Sequence, residues 1–242
     1  MSIFLTIDVS AGIQIALVSE AMGELEVLAA QFSSDPRRHV EDLTPMVSKV
    51  LAEAGIERPD ALIAGTGPAA FTGLRAGLVT ARTLAHAWGV PIYGVSSLEV
   101  LALAGMEAGA NIAVPVIDAR RKEVYALRAR AMGPDDIELL EPAQVLSPGN
   151  LAQRLEQDPA VIIKSRPNAG LYVDVLGDAL VVDVNPVLYV RLVLSRLARR
   201  DAGEQGSAVD LGTEPQYLRR PDVHSGAHAQ PVAQGNPYAQ GA

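Results

Sequence analysis

The chain has 242 residues, of which 49% are apolar and 20% charged, so it can bury a core in one domain or two small ones and is neither disordered nor fibrous. It has no cysteine, which excludes disulfides, thiolate metal sites and a cysteine nucleophile, and which agrees with a reducing cytoplasm. Its net charge of −8 repels phosphate backbones, so we do not expect the chain alone to bind nucleic acid.

The first half of the chain predicts a three-stranded meander followed by alternating helices and strands. The first apolar run reaches Asp8 without a basic leader, so we expect no secretory signal, and no apolar run is long enough to cross a bilayer. In chain order the sequence predicts strands at residues 3–9, 13–18 and 25–32, a helix at 39–54, a strand at 61–64, a helix at 72–88, a strand at 91–95 and a short helix from about residue 96.

The second half repeats this order with different residues. The sequence predicts strands at 112–119, 123–131 and 137–146, a helix at 147–157 capped by Ser147, a strand at 160–164, a poorly patterned crossover at about 169–176, a strand at 179–184 and a closing helix at 186–200. This repeated βββαβαβα order predicts an α/β protein with a duplicated ribonuclease-H-like fold, as in the actin-like ATPases, in which the second lobe has a degraded crossover.

The same pattern predicts the domain organisation. We expect an N-terminal lobe at residues 1–107 that carries a partner interface, and a C-terminal lobe at 108–220 whose last helix, 186–200, packs back on the first lobe. Residues 221–242 are poor in large apolar side chains and rich in Gly, Pro, Ala and Gln, which predicts a flexible tail.

A glycine-rich loop lies between the strand at 61–64 and the helix at 72–88, and it invites a phosphate-binding interpretation. Leu74 and Arg75 stand after its last glycine where a P-loop needs Lys and Ser or Thr, which excludes that motif. A dinucleotide site would need an acid at the end of the next strand, and none is there. The remaining interpretation is a tight start to a helix on which Gly73, Ala76, Gly77 and Thr80 form a thin face for close packing, within the molecule or across an interface.

The actin-like fold predicts a cleft between the lobes, but the residues for it are incomplete. Asp8, Ser10 and Gly12 occupy the first hairpin, where such ATPases hold phosphates and metal. Asp118 is the counterpart in the second hairpin, but bulky residues follow it in "DARRKE". These acids form either a vestigial cleft or simple strand ends, and the sequence leaves both possibilities open.

Hydrolase and metal chemistries have less support. His224 and His228 lie in the polar tail without an acid beside them, and His39 and His86 lie on or at the start of predicted helices. Ser96 and Ser97 have no histidine nearby to act as a base, and there is no G-x-S-x-G motif. We expect no catalytic residue and no metal ligand in this chain.

Several segments together resemble one protein family. The run "GPAAFTGLRAG" keeps Gly67, Pro68, Phe71, Thr72 and Arg75 of a family motif, with Ala69 and Ala70 in place of its usual glycine and serine. "LTIDVS", "RRHVEDLTPMVSKVLAEAGI", "PIYGVSSLEVLA", "DARRKEVYA" and "PQYLRRP" extend the similarity over about residues 3–221. The chain resembles the TsaB (YeaZ) family of tRNA threonylcarbamoyladenosine biosynthesis, non-catalytic paralogues of TsaD.

The resemblance implies a function without chemistry of its own. It implies a cytoplasmic partner subunit for a TsaD-like protein, which transfers a threonylcarbamoyl group to the adenosine next to the anticodon; ATP and metal would act in the partner subunits. A TsaE-like ATPase would join the complex, tRNA would be met only through it, and the chain alone would form a homodimer. An actin-fold small-molecule kinase or ATPase is the alternative. Members of the family have also been called peptidases, but the sequence contains no recognisable set of peptidase residues.

The implied partner interface lies on the first two helices of the N-terminal lobe. Its expected residues are Val40, Leu43, Val47, Gly73, Leu74, Ala76, Gly77 and Thr80.

Overall fold

The computed structural model describes residues 1–34 and 39–219, and in that part of the chain it contains ten strands and six α-helices. The first half comprises β1 (Ser2–Asp8), β2 (Ile13–Ala21), β3 (Glu24–Ser33), α1 (His39–Ala54), β4 (Ala61–Gly65), α2 (Phe71–Trp88), β5 (Ile92–Val95) and α3 (Ser97–Glu107). The second half comprises β6 (Ile112–Arg120), β7 (Glu123–Ala131), β8 (Ile137–Leu146), α4 (Pro148–Gln157), β9 (Val161–Ser165), α5 (Val173–Leu176), β10 (Leu180–Val182) and α6 (Val187–Asp201).

The two halves share one sheet topology. The first sheet has the order β3-β2-β1-β4-β5, and the second has β8-β7-β6-β9-β10. In each, the first strand pairs antiparallel with the second and parallel with the fourth. The predicted duplicated fold is therefore confirmed. The crossover from β9 to β10 contains only a short 3₁₀ turn and the four-residue α5, where the first half has the eighteen-residue α2.

The helices and sheets form five layers. Along β1, Phe4 points to the inner face of the first sheet, whereas Ile3 and Leu5 point to the outer face, because successive strand residues alternate. The outer face packs on α1 and α2, and the outer face of the second sheet packs on α4 and α5. The two inner faces enclose α3 and α6, so both halves contribute to one central core.

Helix α3 is apolar on nearly every side because it lies inside this central layer. All of its residues from Ser97 to Gly105 are buried, which is the pattern of a helix without a solvent face. A Cβ at Gly105 would lie 2.5 Å from side-chain atoms of Ile163 on β9, so glycine allows the helix to approach the second sheet. Glu99 pairs with Arg196 of α6 at 2.7 Å within the same layer.

The chain after α6 returns to the first sheet. Helix α6 itself contacts β1, β3, β4 and β5. Beyond it, Leu211 accepts a hydrogen bond from the Gly94 amide at 2.8 Å, and the Gln216 amide donates to Thr66 at 2.9 Å. We call residues 210–219 the closing segment. The lobe limits 1–107 and 108–220 stay a prediction, and the predicted tail at 221–242 lies outside the described residues. None of the helices in the described ranges is long and apolar enough to cross a membrane.

Candidate functional site

A cleft separates the two sheets where the first hairpin turn of each half lies. Its inner part has a volume of about 400 Å³ and is lined by Asp8, Ser97 and Tyr189, by the paired Arg166 and Asp183, and by several apolar side chains. Its outer part, of about 620 Å³, lies between the β1–β2 turn and the β6–β7 turn and includes Asp118 and Arg120. Ser10, Ala11, Gly12 and Ile117 line both parts. The predicted cleft residues Asp8, Ser10 and Asp118 thus lie around one space.

The Asp8 carboxylate is buried and accepts three hydrogen bonds from its own chain. The Ser10 amide donates to Oδ1 at 2.6 Å. The Ser97 hydroxyl donates to Oδ2 at 2.5 Å, and the Tyr189 hydroxyl donates to the same oxygen at 2.7 Å. Burial, and secondly the charge of Asp8, raise the pKa of Tyr189 well above its ordinary value, so this phenol remains a donor. The three donors belong to the β1–β2 turn, to α3 and to α6, so one buried carboxylate holds these three elements together.

This network also determines how Ser10 faces the cleft. The Ser10 and Ser97 hydroxyl oxygens are 2.7 Å apart. A hydroxyl has one proton, and that of Ser97 goes to Asp8, so Ser10 is the donor in this pair. Ser10 Oγ therefore keeps only lone pairs for the cleft. A phosphate, which needs donors, would meet an acceptor at this position.

Glycine at position 65 makes room for the buried carboxylate. Gly65 ends β4 beside Asp8, and a Cβ there would overlap the aspartate side chain. A Cβ at Gly77 would lie 2.9 Å from Cγ2 of Val9. Both glycines therefore serve close packing around the end of β1, inside the chain.

The second hairpin has an aspartate in the equivalent place but a different turn. The Arg120 amide donates to Asp118 Oδ1 at 2.7 Å, as the Ser10 amide does to Asp8, and the Arg120 guanidinium adds a contact at 3.1 Å. Arg120, Arg121 and Lys122 have φ values of 63°, 52° and 63°, a region that favours glycine. Long cationic side chains thus occupy the turn in which an actin-like ATPase would expose amides to phosphate.

The residues present do not fit the nucleotide and metal that the fold class implies. The carboxylate of the first hairpin is occupied by three donors, and the second hairpin has side chains in place of a glycine turn. In the described ranges, no group of three His, Asp or Glu side chains is arranged to hold a metal ion. His86 is exposed on α2, the His39 side chain lies outside the described part, and so do His224 and His228.

The glycine-rich loop is buried rather than open to a ligand. Residues 65–69 have little solvent access. The Gly67 carbonyl accepts from the Ser97 amide at 2.8 Å and from the Ser96 hydroxyl at 3.1 Å, and the Thr66 amide donates to Val95 at 2.8 Å. Gly67 has a φ of +92°, which side chains rarely adopt, and Pro68 follows it. The loop therefore joins β4, α2 and the start of α3, and its buried residues 65–69 are held by these contacts.

The predicted interface residues divide into two groups. Leu43, Val47 and Leu74 are buried in the core between the first sheet and its helices, and Gly77 is buried against Val9, so these four are not exposed for a partner. Their apolar pattern marks the inner face of α1 and α2. Gly73, Ala76 and Thr80 are partly exposed on α2, whereas the Val40 side chain lies outside the described part.

The exposed face of α2 is a different set of residues from the predicted one. Val79 is 60% exposed, and Thr72, Arg75 and Thr83 lie with it on the solvent side. Helical periodicity places Val79 opposite the core, but a single valine among threonines gives too little contrast for sequence reasoning to find. Tyr189 was also missed, because no local pattern relates the last helix to an aspartate 181 positions earlier.

Two of the family-motif residues form an aromatic contact with the closing segment. The Phe71 ring lies 4.9 Å from the Tyr217 ring at an interplanar angle of 35°. The Arg75 guanidinium carbon lies 5.0 Å from the centre of the Phe71 ring. The start of α2 is therefore held by the end of the described chain.

Fold and cleft together define a protein of the duplicated ribonuclease-H-like class whose cleft lacks a complete phosphate clamp. Comparison with known proteins identifies the family within this fold class. A profile of the family described as TsaD, tRNA N6-adenosine threonylcarbamoyltransferase, matches residues 26–166. A crystal structure from Pseudomonas aeruginosa, of a protein with similarity to the peptidase YeaZ, is 30% identical, with a TM-score of 0.68 over 90% of this chain and 100% of that one. The chain belongs to the TsaB (YeaZ) branch of this family.

Curated relatives agree over shorter stretches. A protein of Mycobacterium tuberculosis is 39% identical over 146 residues, which is 60% of this chain and 63% of that protein. The tRNA threonylcarbamoyladenosine biosynthesis protein TsaB of Escherichia coli is 40% identical over 99 residues, 40% of this chain and 43% of that protein. The match therefore spans less than two thirds of the length of these curated relatives.

Proposed function

We propose that this chain is the non-catalytic partner subunit of a complex that transfers a threonylcarbamoyl group to the adenosine next to the anticodon of tRNAs. Its partner in that complex is a TsaD-like subunit, to which the reaction, the ATP-derived substrate and the metal belong. Membership of the TsaB branch supports the role in tRNA modification.

The observation that carries the non-catalytic part of the proposal is the closed hydrogen-bonding around Asp8. An ATPase of this fold would need that carboxylate for metal and the hairpin amides for phosphate. Here Ser97, Tyr189 and the Ser10 amide already engage the carboxylate, both acceptor positions of Oδ2 among them, and Ser10 Oγ offers only an acceptor. A chain with such a cleft contributes a binding surface to a complex rather than a catalytic step.

The surface that suits a protein partner is the outer side of α2, extended by α1. Val79, Thr72, Ala76 and Thr83 form a small neutral patch on it, flanked by the exposed Arg75 and Arg82. The buried Leu74 holds the helix on its sheet. An exposed apolar side chain among small neutral ones permits close helix packing at little desolvation cost. The same face would join two copies of this chain when the TsaD-like subunit is absent.

The remaining parts of the proposal concern the wider assembly. A TsaE-like ATPase joins the complex, tRNA is met only within it, and the complex works in the cytoplasm. No cofactor is assigned to this chain.

Reconstituted tRNA modification tests the proposal. Purified TsaD-like and TsaE-like subunits from the same genome should modify tRNA only when this chain is added. Val79→Arg should abolish the heterodimer on size exclusion and reduce modification at least about tenfold, because a buried unpaired guanidinium opposes association. Val175→Arg is the matched control, since Val175 is also exposed but lies on α5. Equal behaviour of the two variants would remove α2 from the interface, and full modification without the chain would refute the function.

The alternative is an actin-fold kinase or ATPase, and the outer cleft of about 620 Å³ is the space it would use. Titration calorimetry with ATP and magnesium on the isolated chain distinguishes the two. The proposal expects no saturable heat, whereas the alternative expects binding and a turnover that Asp8→Asn abolishes.

A further inference from the structure

A shallow groove of about 180 Å³ lies beside the start of α2, next to the outer part of the cleft, with which it shares Ala70 and Arg120. The β6–β7 turn forms one wall and the closing segment forms the other, so residues far apart in sequence meet here. We call it the arginine groove, and its lining residues are Ala69, Ala70, Phe71, Ala119, Arg120, Arg121, Tyr125, Tyr217, Leu218 and Arg219.

The charge of this groove is opposite to that of the whole chain. Arg75, Arg120, Arg121, Lys122 and Arg219 lie in or beside it. Among the described residues, two carboxylates are paired with these cations. Asp118 pairs with Arg120 and Glu123 pairs with Arg219. The Arg120 side chain remains 65% exposed despite its pair. A local cationic excess therefore stands on a chain of net charge −8.

The backbone of the β6–β7 turn presents these side chains outwards. Arg120, Arg121 and Lys122 are consecutive residues with positive φ, and all three are exposed. Glycine or asparagine would adopt this conformation at less cost, so the turn places long cations where smaller residues would suffice for the fold.

Aromatic side chains alternate with the cations. Tyr217 is 42% exposed, and its ring contacts Phe71, which in turn lies under the Arg75 guanidinium. Cations that contact phosphates, next to an exposed ring on which a base can stack, are the combination by which proteins bind unpaired RNA.

We propose that the arginine groove binds RNA, with Arg120 and Lys122 on backbone phosphates and a base stacked on Tyr217. This inference rests on the proposed function, which makes the RNA a tRNA held by the TsaD-like subunit. The groove lies at the N-terminal end of α2, the helix proposed to meet that subunit, so an RNA on the partner would pass alongside it. The net negative charge of the chain explains why this contact needs the complex, because long-range repulsion opposes binding by the chain alone.

The test measures tRNA affinity of the complex between this chain and the TsaD-like subunit at several salt concentrations. Arg120→Gln with Lys122→Gln should weaken binding about tenfold near 0.1 M salt. It should also lower the slope of log affinity against log salt by roughly 1 to 2, since each lost phosphate contact releases about one counterion fewer. Arg130→Gln with Arg154→Gln removes the same charge from exposed positions outside the groove and should change neither quantity appreciably.

A second variant separates stacking from charge. Tyr217→Leu keeps an apolar contact with Phe71 but removes the ring, and it should weaken tRNA binding at least about fivefold with an unchanged salt slope.

Four results would overturn the inference. The groove variant pair and the control variant pair could change tRNA affinity equally, which would show that the effect depends on net charge and not on the groove. The groove pair could instead reduce recovery of the heterodimer on size exclusion, which would make the groove a protein contact. If the wild-type chain forms no complex with the TsaD-like subunit, the proposed function fails and this inference with it, whereas a normal complex with unaltered tRNA affinity refutes the groove alone.

Discussion

Replacing Tyr189 with phenylalanine removes one hydroxyl from the floor of the cleft and leaves the ring in place. Tyr189 and Asp8 are both buried, and the hydroxyl lies 2.7 Å from the carboxylate. No cavity larger than an oxygen atom forms, so the main effect is the loss of a hydrogen bond to a buried charge. Such bonds contribute about 1.5–3 kcal/mol to the free energy of unfolding. For a chain of this size, that loss lowers the melting temperature by roughly 3–12 °C.

Urea unfolding measures this change directly. The chain has one tryptophan, Trp88, which is half-buried at the end of α2 and reports on the first lobe by fluorescence. Circular dichroism follows both lobes at once. Coincident transitions would show that the lobes unfold together, and the midpoint shift at constant slope gives the change in stability.

A matched variant separates this bond from a general tyrosine effect. Tyr93→Phe removes a hydroxyl from a half-buried tyrosine that has no hydrogen-bond partner among the described residues, and its stability should stay within about 0.5 kcal/mol of the wild type. If Tyr189→Phe were equally neutral, the view that the Tyr189 hydroxyl stabilises the buried Asp8 carboxylate would be refuted.

Three further predictions concern stability. Lys164 is fully buried, its Nζ has no hydrogen-bond partner among the described residues, and burial lowers its pKa. The unfolded chain therefore binds more protons, so Lys164→Met should stabilise the fold at pH 7 and lose that advantage as the pH approaches about 10. Urea midpoints across pH measure this change. Gly105→Ala places a methyl group against Ile163 and should lower the free energy of unfolding by about 1–3 kcal/mol, although alanine has the better helix propensity. A calorimetric melting temperature at or above that of the wild type would contradict this. Ser147→Ala removes the hydroxyl that accepts from the Asn150 amide at the start of α4 and should cost about 0.5–2 kcal/mol in urea, whereas Ser147→Gly should cost less than the alanine change.

Most of the fold could be predicted from local sequence patterns. The predicted α1 and the strands β7 and β8 have the observed limits, because apolar periodicity and glycine or proline boundaries are local properties of the chain. The duplication was visible as an order of elements, and Ser147 caps α4 as its residue type suggests. Errors at other element ends are one to three residues, the largest at the end of β2, where the last turn or bridge depends on a neighbour.

The site was less accessible to sequence reasoning, because its partners are distant. Asp8 was identified by its place at the end of a strand, but two of its hydrogen bonds come from Ser97 and from Tyr189, 181 residues away. Likewise, Leu43 and Val47 were expected in an interface. Apolar spacing shows which side of a helix avoids water, but it does not show whether the chain itself or another molecule covers that side, and here the chain does.

Because α3 and α6 fill the same layer, the first half of the chain leaves the ribosome with its inner side uncovered. Roughly ninety residues separate the end of α3 from the end of α6, which at typical elongation rates is about 5–20 s of synthesis. During that interval the apolar flank of the nascent first sheet has only the solvent or a chaperone to cover it. The two halves of the duplication therefore complete their folding together, when α6 enters the layer that they share.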